Sequence, residues 1–255
     1  LLRMRALRWR KIVACILAYN EENTIGAVIR GALRHVDMVI VCDDGSTDRT
    51  GQIAREAGAL VIRHEKNMGY GTALRTLFDR ARAIDPDVMV ILDGDGQHDP
   101  DDIPSLVKPV LSGEADIVMG SRFLGKTKMP VYRGIGIRLI SFVVRLTAYP
   151  GLRDAQSGFR AYSRRAVRLM RITELGMGAS TEILLKAAYY GLRLKEVPVE
   201  VSYKGVMHKI SPWRHGLSIL LVTVKHAVRK YLNLFPSIPK AGNVKISSVR
   251  ATSPA

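Results

Sequence analysis

Cysteine is scarce in this sequence, and the two cysteines lie far apart. Cys15 and Cys42 each fall within a short apolar run, and neither belongs to a C-x-x-C pair or to a spacing typical of metal ligands. This pattern argues against a disulfide framework and against a cysteine-based zinc site. We therefore expect two buried thiols in a protein of a reducing compartment.

Long uncharged apolar runs are also missing, although 47% of the residues are hydrophobic. The ranges 134–149 and 213–232 are interrupted by Arg, Lys or His, so neither supplies the roughly 18–20 uncharged residues that span a bilayer. Each fits an amphipathic helix that lies in a membrane interface or packs on the protein's own core or on a second subunit. Residues 1–11 are interpreted as a basic leader without a secretory-signal core, and residues 236–255 as a flexible tail.

Acidic residues are few and unevenly placed in a chain of formal net charge +16. They dominate residues 84–116, whereas residues 117–172 carry twelve Lys/Arg and one acid, Asp154, and no acid follows Glu200. An acidic centre in a basic chain suggests anionic partners such as nucleotide phosphates or an anionic membrane surface. Nucleic acid is disfavoured, because the sequence has no recognised nucleic-acid-binding motif and only 6% aromatic residues.

The chain does contain a regular alternation of short strands and helices. Apolar runs rich in β-branched residues predict strands, and helical spacing of apolar residues predicts the helices between them. Such alternation is typical of βαβ units and predicts an α/β fold with a mostly parallel sheet flanked by helices. The predicted strands are 12–18, 38–42, 59–62, 88–92 and 116–119, and the predicted helices of the first half are 24–34, 47–57 and 70–83.

Polar loops follow four of the predicted strands. In mostly parallel α/β sheets, ligands bind beyond the carboxyl ends of the strands. These four loops are therefore expected to converge on one acidic cleft with a basic rim. They comprise residues 19–22, 43–48, 93–98 and 120–122.

The loop after the fourth strand has the chemistry of a divalent-cation site. Asp93 and Asp95 flank a single glycine, and alternate side chains of an extended backbone share a face. Two carboxylates this close repel each other unless a cation lies between them. Oxygen donors favour Mg²⁺ or Mn²⁺ over zinc, and Gln97 can add a neutral oxygen.

Three familiar kinds of cation-binding or nucleotide-binding loop fit this sequence less well. An EF-hand starting at Asp93 needs Gly and Glu where His98 and Pro104 stand. A dinucleotide fold needs G-x-G-x-x-G after the first strand, where the chain has Tyr-Asn-Glu, and no P-loop is present. A solvated acidic turn stays open as an alternative, but it does not explain the similar acids after Cys42.

Six ordered segments carry a family pattern over about residues 10–210. They are AYNEENTI, CDDGSTDRTGQIA, EKNMGYGTALRTLF, ILDGDGQHDPDDI, MGSRF and DAQSGFRAYSRRA. Together they resemble the family 2 glycosyltransferases of GT-A (Rossmann-like) fold, and within them the dolichol- and polyprenyl-phosphate hexosyltransferases. The resemblance implies a catalytic domain over residues 12–210, followed by an amphipathic helix at 211–235 that is a candidate for membrane contact.

The function implied by the resemblance is a metal-dependent, inverting transfer of a hexose. The donor is a nucleoside diphosphate sugar of the GDP-mannose or UDP-glucose type, and the acceptor is a polyprenyl or dolichyl phosphate. Two alternatives stay open: a family 2 enzyme acting on a glycan or small-molecule hydroxyl, and a non-catalytic subunit that binds nucleotide sugar. A hydroxyl acceptor needs a general base, for which Glu182 is a candidate, although a helix N-terminal glutamate is the simpler interpretation. The implied location is cytoplasmic, peripheral to the cytoplasmic membrane face, and a homo-oligomer stays open.

The resemblance also implies roles for individual residues. The implied catalytic residues are Asp93, Asp95, Arg122 and Asp154. The nucleotide sugar is implied to bind Ala18, Tyr19, Glu21, Asp43, Asp44, Asp93, Gln156 and Lys204. The acceptor phosphate is implied to bind Arg122, Arg133, Arg138 and Ser141, and the Mg²⁺ or Mn²⁺ ion is implied to bind Asp93, Asp95 and Gln97. Two positions depart from the family pattern: Leu17 replaces the usual proline, and Lys204 lacks the bidentate geometry of the arginine usual there.

Overall fold

The computed structural model describes residues 10–125, 131–202 and 212–235, with the backbone alone for 131–133 and 212–218. Within these ranges the chain forms a seven-stranded sheet between two layers of helices. The predicted α/β fold with a mostly parallel sheet is therefore confirmed. The leader up to residue 9, the tail from residue 236 and Lys204 lie outside the described residues.

The predicted elements of the first half are all present, with boundaries shifted by up to three residues. The strands are β1 (Ile12–Ala18), β2 (Met38–Asp43), β3 (Leu60–Arg63), β4 (Val88–Asp93), β5 (Ile117–Ser121), β6 (Arg160–Ser163) and β7 (Leu194–Pro198). The helices are α1 (Ile25–Ala32), α2 (Thr50–Glu56), α3 (Tyr70–Ile84), α4 (Ile103–Leu111), α5 (Val131–Thr147), α6 (Arg164–Leu169), α7 (Ala179–Tyr189) and α8 (Pro212–Tyr231).

The strand order is β3-β2-β1-β4-β6-β5-β7, and β6 is antiparallel to both of its neighbours. Arg160, the first residue of β6, pairs with Ile91 near the end of β4 and with Met119 in β5. The reversed strand therefore brings the segment just before it to the edge where β4 and β5 end. Strands β6 and β7 were not predicted from the sequence, because RAYS and LKEVP contain no apolar run.

Both faces of the sheet are buried, and alternate residues of the central strands divide between them. Val13 and Cys15 join an apolar layer that contains α3 and α7, whereas Ala14 and Ile16 join a second layer that contains α1 and α4. Both thiols are fully buried and free, as expected. Burial, and then the nearby charge of Asp44, raises the pKa of Cys42 to about 12, so this thiol stays protonated.

The two apolar ranges of the second half form most of α5 and α8, so the prediction of helices there is confirmed. The two helices pack against each other, and α8 also packs against α7. Ile140 and Val144 of α5 and Ile219 of α8 belong to the hydrophobic core. In the part of the chain that the structure describes, no helix has the length and apolarity needed to cross a membrane.

A buried ion pair anchors the first turn of α7. Glu182 accepts hydrogen bonds from Lys186 Nζ at 2.6 Å, from the Thr173 hydroxyl at 2.5 Å and from the Glu174 N–H at 2.9 Å. The side chains of Glu182 and Lys186 are almost fully buried. The carboxylate that the sequence offers as a candidate general base is thus committed to holding the loop before α7.

We expect Lys186→Met to destabilise the protein by about 3–5 kcal/mol, because Glu182 would be left as an uncompensated buried charge. Urea denaturation followed by circular dichroism measures the change. Lys195→Met is the matched control, since Lys195 pairs with Glu114 at 2.6 Å and both side chains are about half exposed. We expect no measurable change for the control. Equal denaturation midpoints for the two variants would contradict a stabilising role for the buried pair.

Candidate functional site

The loops after β1 and β2 are joined to each other by hydrogen bonds. Asn20, in the left-handed conformation at φ 56°, donates its N–H to Ser46 Oγ and accepts at Oδ1 from the Thr47 N–H. The Glu21 N–H donates to Thr50 Oγ1 at 2.7 Å. Each loop therefore fixes the shape of the other, and together they form one wall of a cleft at the carboxyl edge of the sheet.

A cavity of about 300 Å³ opens at this edge, where β1, β2 and β4 end. Six residues predicted for the site line it: Ala18, Tyr19, Glu21, Asp44, Asp93 and Asp95. The start of α3 and the loop before it add residues that had no predicted role: Asn67, Gly69, Tyr70 and Ala73. The motif EKNMGYGTALRTLF pointed to this segment, but individual side chains could not be selected without the fold.

Asp93, the last residue of β4, lies close to other acids. Burial, followed by the charges of Asp95 and Glu21, raises the pKa of Asp93 to about 7, although Arg122 and Arg160 act in the opposite direction. Gly158 approaches this carboxylate so closely that a Cβ at residue 158 would lie 2.8 Å from Asp93 Oδ2. The site therefore concentrates negative charge in a confined space.

The loop 93–97 fits a divalent cation that takes further ligands from a substrate. Gln97 lies against Asp95, donating its N–H to Asp95 Oδ1 at 3.0 Å and its side-chain amide to Oδ2. Among the described residues, no three or more His, Cys, Asp or Glu side chains form a metal-binding group. Two carboxylates and one amide oxygen are ligands that Mg²⁺ or Mn²⁺ prefers, and such ions commonly keep further coordination positions for phosphate oxygens. In the arrangement described, the Gln97 amide would turn to present its oxygen.

Arg122 and Asp154 form a bidentate ion pair beside the acidic loop. Arg122 Nε and Nη2 each donate to the Asp154 carboxylate at 2.6 Å, and Asp154 is fully buried. Glu196 of β7 accepts the Arg153 and Asp154 N–H groups at 2.8 and 2.9 Å. Asp154 is therefore held in place from both sides and orients Arg122.

Arg160 is a structural part of the site that was not predicted from the sequence. Its buried guanidinium donates to the carbonyls of Ser157 at 2.7 Å, Ala155 at 3.1 Å and Ser180 at 3.0 Å. It thereby ties residues 155–157 to α7, and Gly158 of the same segment lies next to Asp93. Its position directly after QSGF was visible in the sequence, but its burial depends on the reversed strand β6.

Of the residues predicted for acceptor phosphate, Arg122 directly follows β5, and Arg133, Arg138 and Ser141 belong to α5. Ser141 is buried and its hydroxyl accepts the Ala155 N–H at 2.9 Å, whereas Arg138 is exposed and its guanidinium lies 5.4 Å from the Phe123 ring centre. Arg133 belongs to α5, but its side chain lies outside the described residues, as does the whole of Lys204. Gln156 was predicted to bind the nucleotide sugar, and its N–H donates to Asp154 Oδ1 at 3.1 Å.

Comparison with known proteins adds a family match. The model for glycosyl transferase family 2 matches residues 13–170. A UDP-N-acetylglucosamine–dolichyl-phosphate N-acetylglucosaminyltransferase of Methanococcus voltae is 31% identical over 215 residues, which cover 75% of this chain and 86% of that protein. A dolichyl-phosphate hexose transferase of Haloferax volcanii is 34% identical over 225 residues, which cover 85% of this chain and 93% of that protein.

Solved structures share the fold. Glucosyl-3-phosphoglycerate synthase from Mycobacterium tuberculosis, crystallised with uridine diphosphate, superposes with a TM-score of 0.68 at 25% identity, covering 92% of this chain and 83% of that one. The same synthase was also crystallised with Mn²⁺, uridine diphosphate and glucosyl-3-phosphoglycerate. The chain has the GT-A fold that its motifs predict.

The raised pKa of Asp93 predicts that the metal-free site destabilises the protein at neutral and alkaline pH. Because the folded state binds this proton more tightly than the unfolded state, stability falls as pH rises from about 4 to about 7. Asp93→Asn should therefore raise the free energy of unfolding on the order of 2–4 kcal/mol at pH 8, and by much less near pH 4. Urea denaturation in EDTA measures both values.

Asp48→Asn is the control, because we expect it to change the free energy of unfolding in the opposite direction. Burial raises the pKa of Asp48, but hydrogen bonds from Thr50 outweigh this effect and lower it overall, so the charged form stabilises the folded state. The control should lose stability at pH 8. A gain for Asp93→Asn that is the same at pH 8 and near pH 4 would contradict charge crowding as its cause.

Proposed function

This chain belongs to glycosyl transferase family 2, and we propose that it transfers a hexose from a nucleoside diphosphate sugar to the phosphate of a polyprenyl or dolichyl lipid. The observation that carries the proposal is the crowding of Asp93 and Asp95 at one end of a cavity, next to the Arg122–Asp154 pair. An acidic loop that attracts a cation and a fixed arginine beside it suit a reaction between two phosphate-bearing substrates.

The donor is proposed to occupy the cavity of about 300 Å³. Tyr19 is 42% exposed and offers a face on which a base can stack, while Leu17 and Ala73 supply apolar walls. Asp93 and Asp95 at the other end would lie near the diphosphate. The sugar would then extend toward Gln156 and Asp154, as the family pattern implies.

A divalent cation is proposed on Asp93, Asp95 and Gln97. When bound, Mg²⁺ or Mn²⁺ supplies Lewis-acid stabilisation for the charge that develops on the departing nucleoside diphosphate. The two carboxylates provide the negative charge that attracts such an ion. The backbone N–H of Gln97 keeps Asp95 oriented.

A phosphate acceptor removes the need for a general base. A phosphate monoester has its second pKa near 6 and is already ionised at neutral pH. We propose that Arg122, Arg138 and Arg133 orient it for attack on the anomeric carbon, with inversion of configuration. Glu182, the candidate base for a hydroxyl acceptor, is buried and engaged by Thr173 and Lys186, which supports the phosphate acceptor. The names of the two relatives agree with a dolichyl-phosphate acceptor.

A lipid acceptor requires contact with a membrane, and α5 and α8 present a suitable face. Each helix carries large exposed apolar side chains at helical spacing. Basic side chains accompany them, which favours anionic lipid. The apolar set is Ile135, Leu139, Phe142, Leu146, Leu221, Val224, Val228 and Tyr231, and the basic set is Arg138, Arg145, Lys225 and Arg229. We propose residues 12–210 as the catalytic domain and 211–235 as a helix that contacts the membrane interface.

The decisive assay measures release of nucleoside diphosphate from GDP-mannose, UDP-glucose and UDP-N-acetylglucosamine, with and without polyprenyl phosphate. We expect release from at least one donor, dependent on the lipid and on Mg²⁺ or Mn²⁺. Asp95→Asn should lower turnover at least about 100-fold, because it weakens the cation that stabilises the leaving group.

Asp101→Asn is the matched control for Asp95→Asn, since Asp101 belongs to the same acidic stretch but is exposed and pairs with Arg34 at 2.8 Å. We expect its turnover to equal that of the unsubstituted protein. Transfer to a hydroxyl acceptor without lipid would instead support the alternative family 2 activity. Undiminished turnover of Asp95→Asn would refute the metal site.

We expect the protein to cosediment with anionic phospholipid vesicles, with binding that weakens as salt rises. Combined Leu146→Gln and Leu221→Gln should lower the partition coefficient about tenfold, because these side chains are 70% and 62% exposed on α5 and α8. Leu33→Gln, at the end of α1 on the other face of the sheet, is the control. Equal binding by both variants would place the membrane contact elsewhere.

A further inference from the structure

The glycine between the two carboxylates of the loop 93–97 is restrained on both sides. The Gly94 N–H donates to the Leu17 carbonyl at 2.8 Å, and the Gly94 carbonyl accepts the Thr24 hydroxyl at 2.7 Å. A Cβ at residue 94 would lie 3.0 Å from Ile25 Cδ1 and 3.1 Å from the Leu17 carbonyl oxygen. The backbone between the carboxylates is therefore held against the end of β1 and the start of α1.

Thr24 presents its hydroxyl from a fixed backbone. Its N–H donates to the Glu21 carbonyl at 3.1 Å, and its carbonyl accepts the Ala27 and Val28 N–H groups at 3.0 and 3.1 Å. The carbonyl oxygen and Oε2 of Glu21 each lie 3.3 Å from the Thr24 hydroxyl oxygen, farther away than the Gly94 carbonyl at 2.7 Å. Because a hydroxyl has one proton to donate, we assign this proton to the bond with Gly94.

This use of the hydroxyl differs from the usual role of a threonine at the start of a helix. At the position before the first helical residue, a threonine hydroxyl ordinarily accepts an N–H of the first turn and thereby stabilises the helix. Among the residues that the structure describes, Thr24 accepts no such bond from α1. Its hydroxyl instead donates to a loop 70 residues farther along the chain. The helix thus gives up a side-chain cap, and the loop 93–97 gains a restraint.

The methyl group of Thr24 lies beside the glycine that follows Asp95. Gly96 has a φ of 72°, in the left-handed region that favours glycine. A Cβ at residue 96 would lie 3.4 Å from Thr24 Cγ2, so the methyl group borders this turn. One side chain is therefore placed against the loop both before and after Asp95.

We infer that Thr24 is a positioning residue for the cation site, which holds Asp95 where its carboxylate and that of Asp93 can share one divalent ion. Two carboxylates repel each other, so the backbone between them must be held for both to face the same ion. Residues that orient metal ligands without touching the metal commonly change its affinity about 10–100-fold when they are removed. The inference rests on the proposed function, since it concerns the cation assigned to Asp93, Asp95 and Gln97.

The test measures the affinities of UDP and GDP by isothermal titration calorimetry, in Mn²⁺ and in EDTA. The ratio of the Kd in EDTA to the Kd in Mn²⁺ reports the coupling between cation and nucleotide, separately from the contacts of the base. For the unsubstituted protein we expect this ratio to be at least about ten for one of the two nucleotides.

Thr24→Val removes the hydroxyl but keeps the shape of the side chain. We expect it to lower the ratio to about two, because Asp95 is no longer held in place, while the Kd in EDTA stays unchanged. Thr24→Ser keeps the hydroxyl and should retain the ratio within about twofold. Thr147→Val is the matched control, since the Thr147 hydroxyl donates to the Val143 carbonyl at 2.8 Å within α5. We expect the control to keep the original ratio.

An unchanged ratio in Thr24→Val would overturn the inference and leave the proposed function intact. Equal weakening of nucleotide binding in Mn²⁺ and in EDTA would also overturn it, because Thr24 would then support the cavity in general. The same loss in Thr24→Ser as in Thr24→Val would exclude the hydroxyl as the cause. If Mn²⁺ tightened the binding of neither nucleotide to the unsubstituted protein, the proposed cation site, and with it the proposed function, would fail.

Discussion

The burial of a carboxylate beside other carboxylates at the end of β4 is the constraint on which this site depends. Burial, and then the charges of Asp95 and Glu21, raise the pKa of Asp93 to about 7, so the folded chain keeps an unfavourable charge arrangement near neutral pH. Such an arrangement persists only if the surrounding structure holds it rigidly. The Thr24 hydroxyl donates to the Gly94 carbonyl at 2.7 Å, and the Gly94 N–H donates to Leu17 at 2.8 Å, so the loop cannot relax by moving away from β1. The proposed cation would relieve this repulsion.

The reversed strand β6 gives the site its second half. If β4 and β5 were direct neighbours, the segment 154–158 would have no reason to lie at the edge where they end. The insertion of β6 between them turns this segment toward Asp93, and Arg160, Glu196 and Ser141 then fix its backbone. Arg122 receives its orientation from Asp154 in this segment. The acidic and basic parts of the site are thus adjacent because of one antiparallel strand.

The sequence was most informative where a residue's role depends on its own strand. The apolar runs located β1 to β5, and the polar loops after them identified Tyr19, Asp44 and Asp93 as neighbours. It was least informative where the role depends on partners distant in the chain. Asp43 and Asp44 look alike in CDDGSTD, yet Gly51 and Arg63 enclose the first, whereas the second lines the cavity. Only the arrangement in space separates a structural carboxylate from one available to a ligand.

The loop before α7 connects α8 to the cavity at the end of β4. Glu174 accepts hydrogen bonds from Lys225 and from the buried His226 of α8, each at 2.8 Å. The next residue, Leu175, accepts the Gly71 N–H of α3 at 2.9 Å, and no side chain fits at Gly71 because a Cβ would lie 2.1 Å from the Glu174 carbonyl. Gly69 and Tyr70, immediately before that contact, line the cavity. The buried carboxylate of Glu182 holds the same loop from α7, so α7, α8 and the start of α3 all bond to this one loop. The helix proposed to contact lipid and the cavity wall proposed to bind nucleotide are therefore joined by one loop.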